Sequence, residues 1–452
     1  MSEKTILIKN ALFAVTMDDA GREIPDCDIY VEGPQIKQIG RKLNVRTDSV
    51  INAKNCVALP GLVNTHHHLY QTLTRNLPAV QDSKLFDWLI YLYEVWRNIT
   101  PEGVFVSAQV GLGELLLSGC TTSSDHFYLF PGGKSADLID CEISAAREIG
   151  MRFHPCRGSM SRGKSKGGLP PDDVVQTEDE ILKDCERLVK KYHDPSAFAM
   201  TQIALAPCSP FSVTTELLKL SAQAAKKWGV RLHTHLAETA DEEAYCLELH
   251  KLRPLAYMES VGWLECGCWF AHCVHMNGDE AALMGKTKAG VAHCPSSNMR
   301  LGSGIAPVRM FLDDKVPVGL AVDGSASNDS NNLLAEARQA MLCQRVKSGV
   351  GSMTAREALR IATRGGAEVL GRSDIGVLAP GKAADIALFD LNKIDYAGSL
   401  ADPAAALLFC GPGKAKHVLV NGELSVEDGR LVKADEDLIT ERANKLASEL
   451  LG

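Results

Sequence analysis

Three consecutive histidines at positions 66–68 are the residues whose type and spacing most directly predict chemistry in this sequence. They close a short apolar run that begins at Gly61. Alternate side chains of a β-strand share one face, so His66 and His68 point the same way and His67 points the other way. Two imidazoles on one face can bind a borderline metal such as zinc, although a strand end can also be rich in histidine without binding metal. The triplet therefore predicts part of a metal site whose other ligands must come from elsewhere.

Three further segments carry suitable side chains at the ends of strand-like runs, namely residues 233–238 (HTHLAE), 271–275 (AHCVH) and 321–324 (AVDG). In an α/β barrel, reactive side chains lie at the carboxyl ends of the strands, so these segments would meet the histidine triplet at one face. Three imidazoles and one carboxylate suit a divalent metal, and the predicted ligands are His66, His68, His235 and Asp323. Glu238 and His272 remain beside them as groups that can transfer protons.

The order of strand-like and helical segments predicts the barrel that this arrangement needs. Helical patterns separate apolar strand-like runs at residues 61–66, 120–126, 151–157, 200–208, 230–236, 268–273, 289–294 and 316–323. Eight strands alternating with helices over about 300 residues predict an α/β fold, a (β/α)8 TIM-like barrel. An open doubly wound sheet is the alternative, and it is disfavoured because no dinucleotide-binding fingerprint follows any of the runs.

Helix boundaries carry ordinary start and stop signals. Residues 100–119 begin with Thr-Pro-Glu and end in glycine, which is typical of one helix. Residues 214–228, followed by Gly229, predict a second helix. An apolar stripe at helical spacing predicts a third helix, and the stripe consists of Leu333, Ala337, Ala340 and Met341.

The two ends of the chain predict a second, smaller domain. Residues 1–60 contain short β-rich runs separated by glycine and proline, and residues 376–452 contain further runs of this kind. We predict that both ends form one small β-sandwich domain and that residues 61–375 form the barrel. A charged helix at about 435–450 is predicted to close the chain.

Composition limits the classes of function. The 452 residues are 45% hydrophobic and 23% charged, which is ordinary for a globular protein with a large core. A net charge of −8 without a basic run disfavours nucleic acid as a partner. The N-terminus lacks the regions of a signal peptide, and no apolar run approaches the roughly 20 residues of a membrane span. Fourteen cysteines without a Cys-x-x-Cys pair are then expected to be reduced thiols, which predicts a cytoplasmic protein. With nucleic acid and membrane disfavoured, the expected partner is a small-molecule substrate.

Four segments resemble signatures of the amidohydrolase superfamily, namely residues 60–68 (PGLVNTHHH), 235–238 (HLAE), 293–298 (HCPSSN) and 322–328 (VDGSASN). They occur in the family's order, and the resemblance, which is to its deaminase and triazine-hydrolase branch, covers the whole chain. The resemblance implies a metal-dependent aminohydrolase whose ligands are His66, His68, His235 and Asp323. It also implies that Glu238 shuttles protons and that His272 is an active-site histidine.

The resemblance implies one divalent metal, most simply zinc. Members with two metals bridge them through a modified lysine at the fourth strand, and here that strand ends in residues 205–210 (LAPCSP) without a lysine. Zinc brings the pKa of a water toward about 7, which makes hydroxide available at neutral pH. Asp323 and His272 would orient that water and accept its proton. Glu238 would protonate the neighbouring ring nitrogen and then the leaving amine.

The resemblance also implies a substrate. Gln71 lies three residues after His68, where guanine deaminases of this superfamily carry a glutamine, and its amide offers both the donor and the acceptor that a lactam edge requires. Arg157 is similar to the substrate-binding arginine of S-adenosylhomocysteine deaminases. Either residue could instead stabilise a loop. The 8-oxoguanine deaminases are most similar at residues 125–130 (DHFYLF), 157–161 (RGSMS) and 167–171 (GGLPP). Hydrolysis of free 8-oxoguanine to urate and ammonia is therefore predicted.

Several alternatives stay open on the sequence. A hydroxyatrazine-type triazine aminohydrolase or a guanine or pterin deaminase would use the same metal site. A non-catalytic scaffold of the same fold is disfavoured because every ligand is present. The donor to the C8 carbonyl is expected after the second or fourth strand, and a homo-oligomer is expected. His67 and His233 fit no family role and are interpreted as structural polar groups, and Asn298 is interpreted as a residue that holds a loop.

Overall fold

The computed structural model of the protein describes residues 4–132 and 137–452. The strands in these ranges are β1 Thr5–Val15, β2 Glu23–Glu32, β3 Gln35–Gly40, β4 Ser49–Asn52, β5 Cys56–Pro60, β6 Leu62–Asn64, β7 Cys120–Phe127, β8 Arg152–Ser159, β9 Ala204–Pro207, β10 Arg231–Leu236, β11 Cys268–His272, β12 Gly290–His293, β13 Val318–Leu320, β14 Ile386–Asp390, β15 His417–Val420, β16 Glu423–Glu427 and β17 Arg430–Leu431. The α-helices are α1 Leu85–Trp96, α2 Pro101–Leu117, α3 Leu138–Ile149, α4 Glu178–Tyr192, α5 Thr215–Trp228, α6 Ala240–His250, α7 Pro254–Ser260, α8 Gly278–Thr287, α9 Pro295–Arg300, α10 Val308–Asp313, α11 Leu333–Ser348, α12 Ala355–Arg360, α13 Gly366–Val369, α14 Pro403–Phe409 and α15 Glu436–Leu451.

Eight parallel strands, β6 to β13, close into a barrel in the order β10-β11-β12-β13-β6-β7-β8-β9. β13 closes the ring on β6 through the pair Leu320 and Asn64. The strands are buried almost throughout, because helices cover the outside of the ring and packed side chains fill the inside. All eight strands overlap the eight predicted runs, so the predicted (β/α)8 barrel is confirmed.

The predicted helix signals lie at the observed helix ends. The Thr100 side chain caps α2 by accepting a hydrogen bond from the Gly103 amide at 3.0 Å. Gly119 follows α2 with a φ of +92°, and a Cβ atom there would lie 2.6 Å from Cζ of Phe389. Glycine is therefore required at this position, both for the left-handed backbone and for the close approach of β14.

Both chain ends build one β domain, as predicted, but its strands form a single hydrogen-bonded sheet of nine strands. The order is β17-β16-β15-β14-β5-β1-β2-β3, with β4 paired to β1. The sheet is continuous because β14 pairs directly with β5 in antiparallel register, with Ile386 opposite Pro60 and Asp390 opposite Cys56. Helix α15 corresponds to the predicted closing helix. We propose that the boundaries between the β domain and the barrel lie after residues 60 and 375.

Two further features concern the apolar helices and the thiols. None of the helices within residues 4–132 and 137–452 has the length and apolarity that a membrane span requires. All fourteen cysteines lie in the described ranges and are free thiols.

Candidate active site

The carboxyl ends of β6, β10 and β13 bring the four predicted metal ligands together. Nε2 of His68 lies 3.0 Å from Nε2 of His235. Oδ1 of Asp323 lies 3.2 Å from Nε2 of His66 and 3.4 Å from Nε2 of His68. Ligand atoms at 2.0–2.1 Å from a tetrahedral zinc ion are about 3.3–3.4 Å from one another. The spacing of these four atoms therefore fits one zinc ion.

The hydrogen bonds of two histidines fix which nitrogen faces the centre. Nδ1–H of His68 donates to the carbonyl of His126 at 2.7 Å, and Nδ1–H of His235 donates to the carbonyl of Cys208 at 2.6 Å. Burial lowers the pKa values of both imidazoles, so they are neutral and each Nε2 carries a lone pair. Two lone pairs that face each other at 3.0 Å are favourable only with a cation between them.

The remaining two ligand atoms point to the same conclusion. Nε2 of His66 and Oδ1 of Asp323 are buried and have no other hydrogen-bond partner among the described residues. Burial alone would raise the pKa of Asp323, but the contact with His66 and the neighbouring histidines hold it well below its usual value. Oδ2 of Asp323 accepts hydrogen bonds from the hydroxyls of Ser297 at 2.6 Å and Ser327 at 3.0 Å, which orient the carboxylate. The donor set is thus neutral nitrogen plus one carboxylate oxygen, which suits zinc.

His233, interpreted from sequence as a structural residue, lies directly behind this cluster. Its Nε2 is 2.7 Å from Nδ1 of His66, and its Nδ1 is 3.0 Å from the carbonyl of Trp269. Burial lowers the pKa of His233 to about 3, so its ring is neutral. One tautomer satisfies both contacts: Nδ1–H of His233 donates to Trp269, and Nδ1–H of His66 donates to His233. His233 therefore orients His66 and leaves Nε2 of His66 free for a metal.

We expect His233→Ala to weaken metal binding by roughly 10–100-fold, as is usual when a partner that orients a metal ligand is lost. The dissociation constant would be measured by competition with a chromophoric chelator, which does not depend on turnover. His233→Gln is the matched control, because its amide can still accept the proton of His66, and it should retain most of the affinity. Equal affinity for His233→Ala and the natural protein would contradict the role.

Glu238 and His272 lie together beside the ligands. Oε2 of Glu238 is 3.6 Å from Nε2 of His272, and Nδ1–H of His272 donates to Oδ1 of Asn298 at 2.9 Å. Burial raises the pKa of Glu238 to about 7, although the nearby His272 lowers it. Burial lowers the pKa of His272, but Glu238 and Asp323 outweigh this effect and the pKa is raised. A carboxyl group that titrates near pH 7 can serve as acid and then as base.

The backbone at these positions is held in an uncommon conformation. Ala237, His272 and Asp323 are non-glycine residues with φ values of +51°, +72° and +65°. Such conformations cost free energy and persist where the surroundings impose them, most often at functional sites. The buried Glu242 imposes one of them, since its carboxylate accepts hydrogen bonds from the amides of Ala237 at 2.8 Å and Glu238 at 3.0 Å. These contacts fix the direction in which Glu238 leaves the strand.

The ligand cluster opens into a pocket lined by Gln71, Trp88, Tyr128, Cys208, Glu238 and His272, among others. Oε1 of Gln71 and Nε1 of Trp88 are buried there without a hydrogen-bond partner among the described residues. Gly324 makes room for Gln71, because a Cβ atom there would lie 1.9 Å from Oε1 of Gln71. The cavity measures about 40 Å³, well below the roughly 300 Å³ of ordinary ligand pockets, so the lining side chains must separate to admit a ring.

Arg157, a predicted substrate contact, is not among the residues that line this pocket. Its Nε donates to Asp184 at 2.8 Å, its Nη1 to the Gly158 carbonyl at 2.5 Å, and its Nη2 to Gln176 at 2.8 Å. The guanidinium stacks on Phe130 with 3.8 Å between Cζ and the ring centroid. The structure thus brings Gln71 to the site but leaves Arg157 bound to its own loop.

Two residues at the end of β7 belong to the surroundings of the site, and sequence reasoning assigned them no role. A ring nitrogen of His126 lies within 4.8 Å of ligand nitrogens of His66, His68 and His235. The imidazole of His126 stacks on His235 with 4.8 Å between centroids. Oδ1 of Asp125 accepts a hydrogen bond at 2.6 Å from the amide of Leu69, the residue after His68. Their position at the end of the second barrel strand was the available signal.

Comparisons with known proteins show what the whole chain is similar to. The model of the amidohydrolase family matches residues 57–425. The 8-oxoguanine deaminase of Pseudomonas aeruginosa is 51% identical over 403 residues, which is 89% of both chains. An isoxanthopterin deaminase from an unknown prokaryotic organism is 34% identical and covers 100% of this chain and 98% of its own. The atrazine chlorohydrolase of Arthrobacter aurescens TC1, crystallised with zinc, is 38% identical with a TM-score of 0.94, covering 98% of this chain and 100% of its own.

Proposed function

This chain belongs to the amidohydrolase family, and from that premise we propose its function. We propose that it is a zinc aminohydrolase that converts free 8-oxoguanine and water to urate and ammonia. The observation that carries the chemistry is Glu238, a buried carboxyl with a pKa of about 7 beside a cluster of neutral imidazoles. The substrate assignment is supported by the 51% identity to an 8-oxoguanine deaminase over 89% of both chains. His66, His68, His235 and Asp323 would hold one divalent metal.

The bound zinc would supply Lewis acidity, which lowers the pKa of a water to about 7. Nε2 of His272 faces the site, because Nδ1–H is engaged by Asn298, and it would accept a proton from the attacking water. Glu238 would donate its proton to N3 of the ring, which makes C2 electrophilic. The water oxygen would then bond to C2, and the Glu238 carboxylate would take the remaining proton of that oxygen and pass it to the exocyclic nitrogen. The bond from C2 to this nitrogen would break as the C2 carbonyl forms, ammonia would leave, and the proton held by His272 would return to Glu238 through solvent.

Two polar side chains of the pocket, each with a buried atom that has no partner within residues 4–132 and 137–452, are proposed to hold the ring. The Gln71 amide offers an acceptor and a donor to the lactam edge. The indole N–H of Trp88 would donate to the C8 carbonyl. Sequence reasoning looked for this donor after the second and fourth strands, and Tyr128, Cys208 and Ser209 do line the pocket there. The Ser209 hydroxyl is already bonded to Ser212 at 2.7 Å.

Ammonia release from a panel of free bases tests the assignment. Catalytic efficiency for 8-oxoguanine should exceed that for guanine, isoxanthopterin and hydroxyatrazine under one condition. Guanine should react more slowly, because a buried donor left without the C8 oxygen costs about 1–3 kcal/mol. A panel led by hydroxyatrazine or isoxanthopterin would replace the substrate assignment and leave the zinc aminohydrolase. Both alternatives are kept because an isoxanthopterin deaminase and a hydroxydechloroatrazine ethylaminohydrolase match 100% and 93% of this chain.

We expect Trp88→Phe to lower the preference for 8-oxoguanine over guanine by about 10-fold, because phenylalanine keeps the aromatic ring and removes the N–H donor. The measurement is the ratio of kcat/KM for the two bases. Trp96→Phe is the matched control, since its indole N–H is already bonded to Thr74 at 3.0 Å and should not affect the ratio. An unchanged ratio in Trp88→Phe would assign the donor to another residue.

A cytoplasmic location and a homo-oligomeric state complete the proposal. The location is supported by fourteen free thiols, which are typical of reducing compartments. Association is supported by exposed apolar side chains on neighbouring elements, namely Val346, Val350 and Phe409. Multi-angle light scattering of the purified protein would give the number of subunits.

A further inference from the structure

A large cavity lies at the end of the barrel opposite to the candidate active site. We call it the basal cleft, and its volume is about 920 Å³. Arg231 and Val318, the first residues of β10 and β13, line it, whereas the metal-facing residues lie at or beyond the other ends of these strands. The cleft is also lined by Asp18 and Asp19, which follow β1, and by residues between α13 and β14, among them Arg372 and Lys382. The cleft therefore lies between the barrel and the β domain.

The charge of the basal cleft is opposite to that of the whole protein. Seven basic and three acidic residues line it, although the chain as a whole carries a net charge of −8. The acidic residues are engaged: Asp18 pairs with Arg22, and Asp19 and Glu368 pair with Arg364. An excess of positive charge in a concave surface concentrates anions.

Arg231 is the most unusual of these cations. It makes no hydrogen bond or ion pair with any residue in the two described ranges, and its Nε is buried. The positive charge of Arg231 has a cation–π contact with Trp269, in which Cζ lies 5.8 Å from the ring centroid. Gly371 leaves space for the guanidinium, since a Cβ atom there would lie 2.9 Å from Nη1. A largely buried charge without a partner is costly, so an anion is the expected partner for Arg231.

Three lysines of the cleft also lack an anionic partner among the described residues. Nζ of Lys288 donates to the carbonyl of Lys315 at 3.3 Å, and Nζ of Lys382 donates to the carbonyl of Ser373 at 2.6 Å. Lys315 has no ion pair within the same ranges. Backbone carbonyls satisfy donors but do not neutralise charge, so these ammonium groups remain available to an anion.

We propose that the basal cleft binds a small organic phosphate of the nucleotide class. Arg231 and the lysines would bind the phosphate groups, and an apolar wall that includes Val316, Pro317 and Ile375 would contact the organic part. A volume of about 920 Å³ lies within the roughly 300–1,000 Å³ of small-molecule sites, which favours a metabolite over an extended macromolecule. This site is separate from the proposed deaminase chemistry and does not depend on its substrate.

Isothermal titration of the zinc-loaded protein with magnesium-ATP, tripolyphosphate, inorganic phosphate and adenosine would test the proposal. Magnesium-ATP should bind most tightly, the two inorganic anions more weakly, and adenosine not at all, and affinity should fall as salt is added. The zinc content after each titration should be unchanged, which separates binding from removal of the metal.

Arg231→Gln should weaken binding of magnesium-ATP by roughly 10–100-fold, the usual effect of losing a charge-assisted hydrogen bond. The double variant Lys288→Gln/Lys315→Gln keeps Arg231 and should also weaken binding of magnesium-ATP. This variant tests the proposal even if Arg231→Gln does not fold. Lys54→Gln, an exposed lysine outside the cleft, is the control and should bind like the natural protein. The absence of binding by all three phosphate compounds, or binding that none of the cleft variants weakens, would overturn the proposal.

Discussion

Replacing Glu238 by glutamine is expected to lower the turnover number by roughly 10²–10⁴-fold, the range typical for a general acid–base group. Glutamine has nearly the same size, so the pocket and the turn held by Glu242 should persist. The amide cannot donate a proton to the ring and then pass one to the leaving amine. The expected loss is therefore in the chemical step, and KM should change much less than kcat.

The measurement is steady-state ammonia release at saturating substrate, together with elemental analysis of the same sample. Metal content should stay at the level of the natural protein, since Glu238 is not among the four proposed ligands. Glu248→Gln, an exposed carboxylate on α6, is the matched control and should keep full activity. A Glu238→Gln variant with near-normal turnover would show that another group protonates the ring.

Removing an imidazole from the metal cluster is expected to have the second large effect, a loss of both metal and activity. His235→Ala should lower the metal content from near one equivalent per chain to well below it, and activity should fall to background. The reason is that only two imidazoles and one carboxylate would remain, in a cavity that lost a ligand atom 3.0 Å from Nε2 of His68. Reconstitution with excess zinc should restore activity only in part.

His275→Ala is the control for this experiment. His275 lies three residues beyond the end of barrel strand β11. Its Nε2 contacts the Ser303 carbonyl at 3.1 Å, away from the ligand cluster. Its variant should bind one equivalent of metal and keep most activity. Two equivalents of metal in the natural protein, or turnover by metal-free His235→Ala, would contradict the single-metal site.

The sequence by itself determined the barrel and the split β domain, and it predicted the four residues that we propose as metal ligands. Strand and helix periodicity is a local property, so the eight strand positions and the ends of α2 and α5 could be recognised without long-range information. Parallel barrel strands place their carboxyl ends at one face, so residues such as His66, His235 and Asp323 could be brought together by topology alone.

Tertiary structure alone decided how these residues are oriented and what supports them. His233 points at His66 because β10 and β6 face each other across the barrel, a contact between residues 167 positions apart that no local pattern encodes. Arg157 carried the right chemistry for a substrate contact, yet Asp184 and Gln176 engage its guanidinium.

Burial, which depends on the whole fold, sets the pKa of Glu238 near 7. The fold also leaves the guanidinium of Arg231 without a partner in the part of the chain that the structure describes. Both features arise from groups that lie far apart in the chain: His272 and Asp323 surround Glu238, while Trp269 and Gly371 surround Arg231. Residue types and spacing therefore predicted which chemistry is available. Desolvation and the pairing of charges across the barrel decided which side chains can perform it.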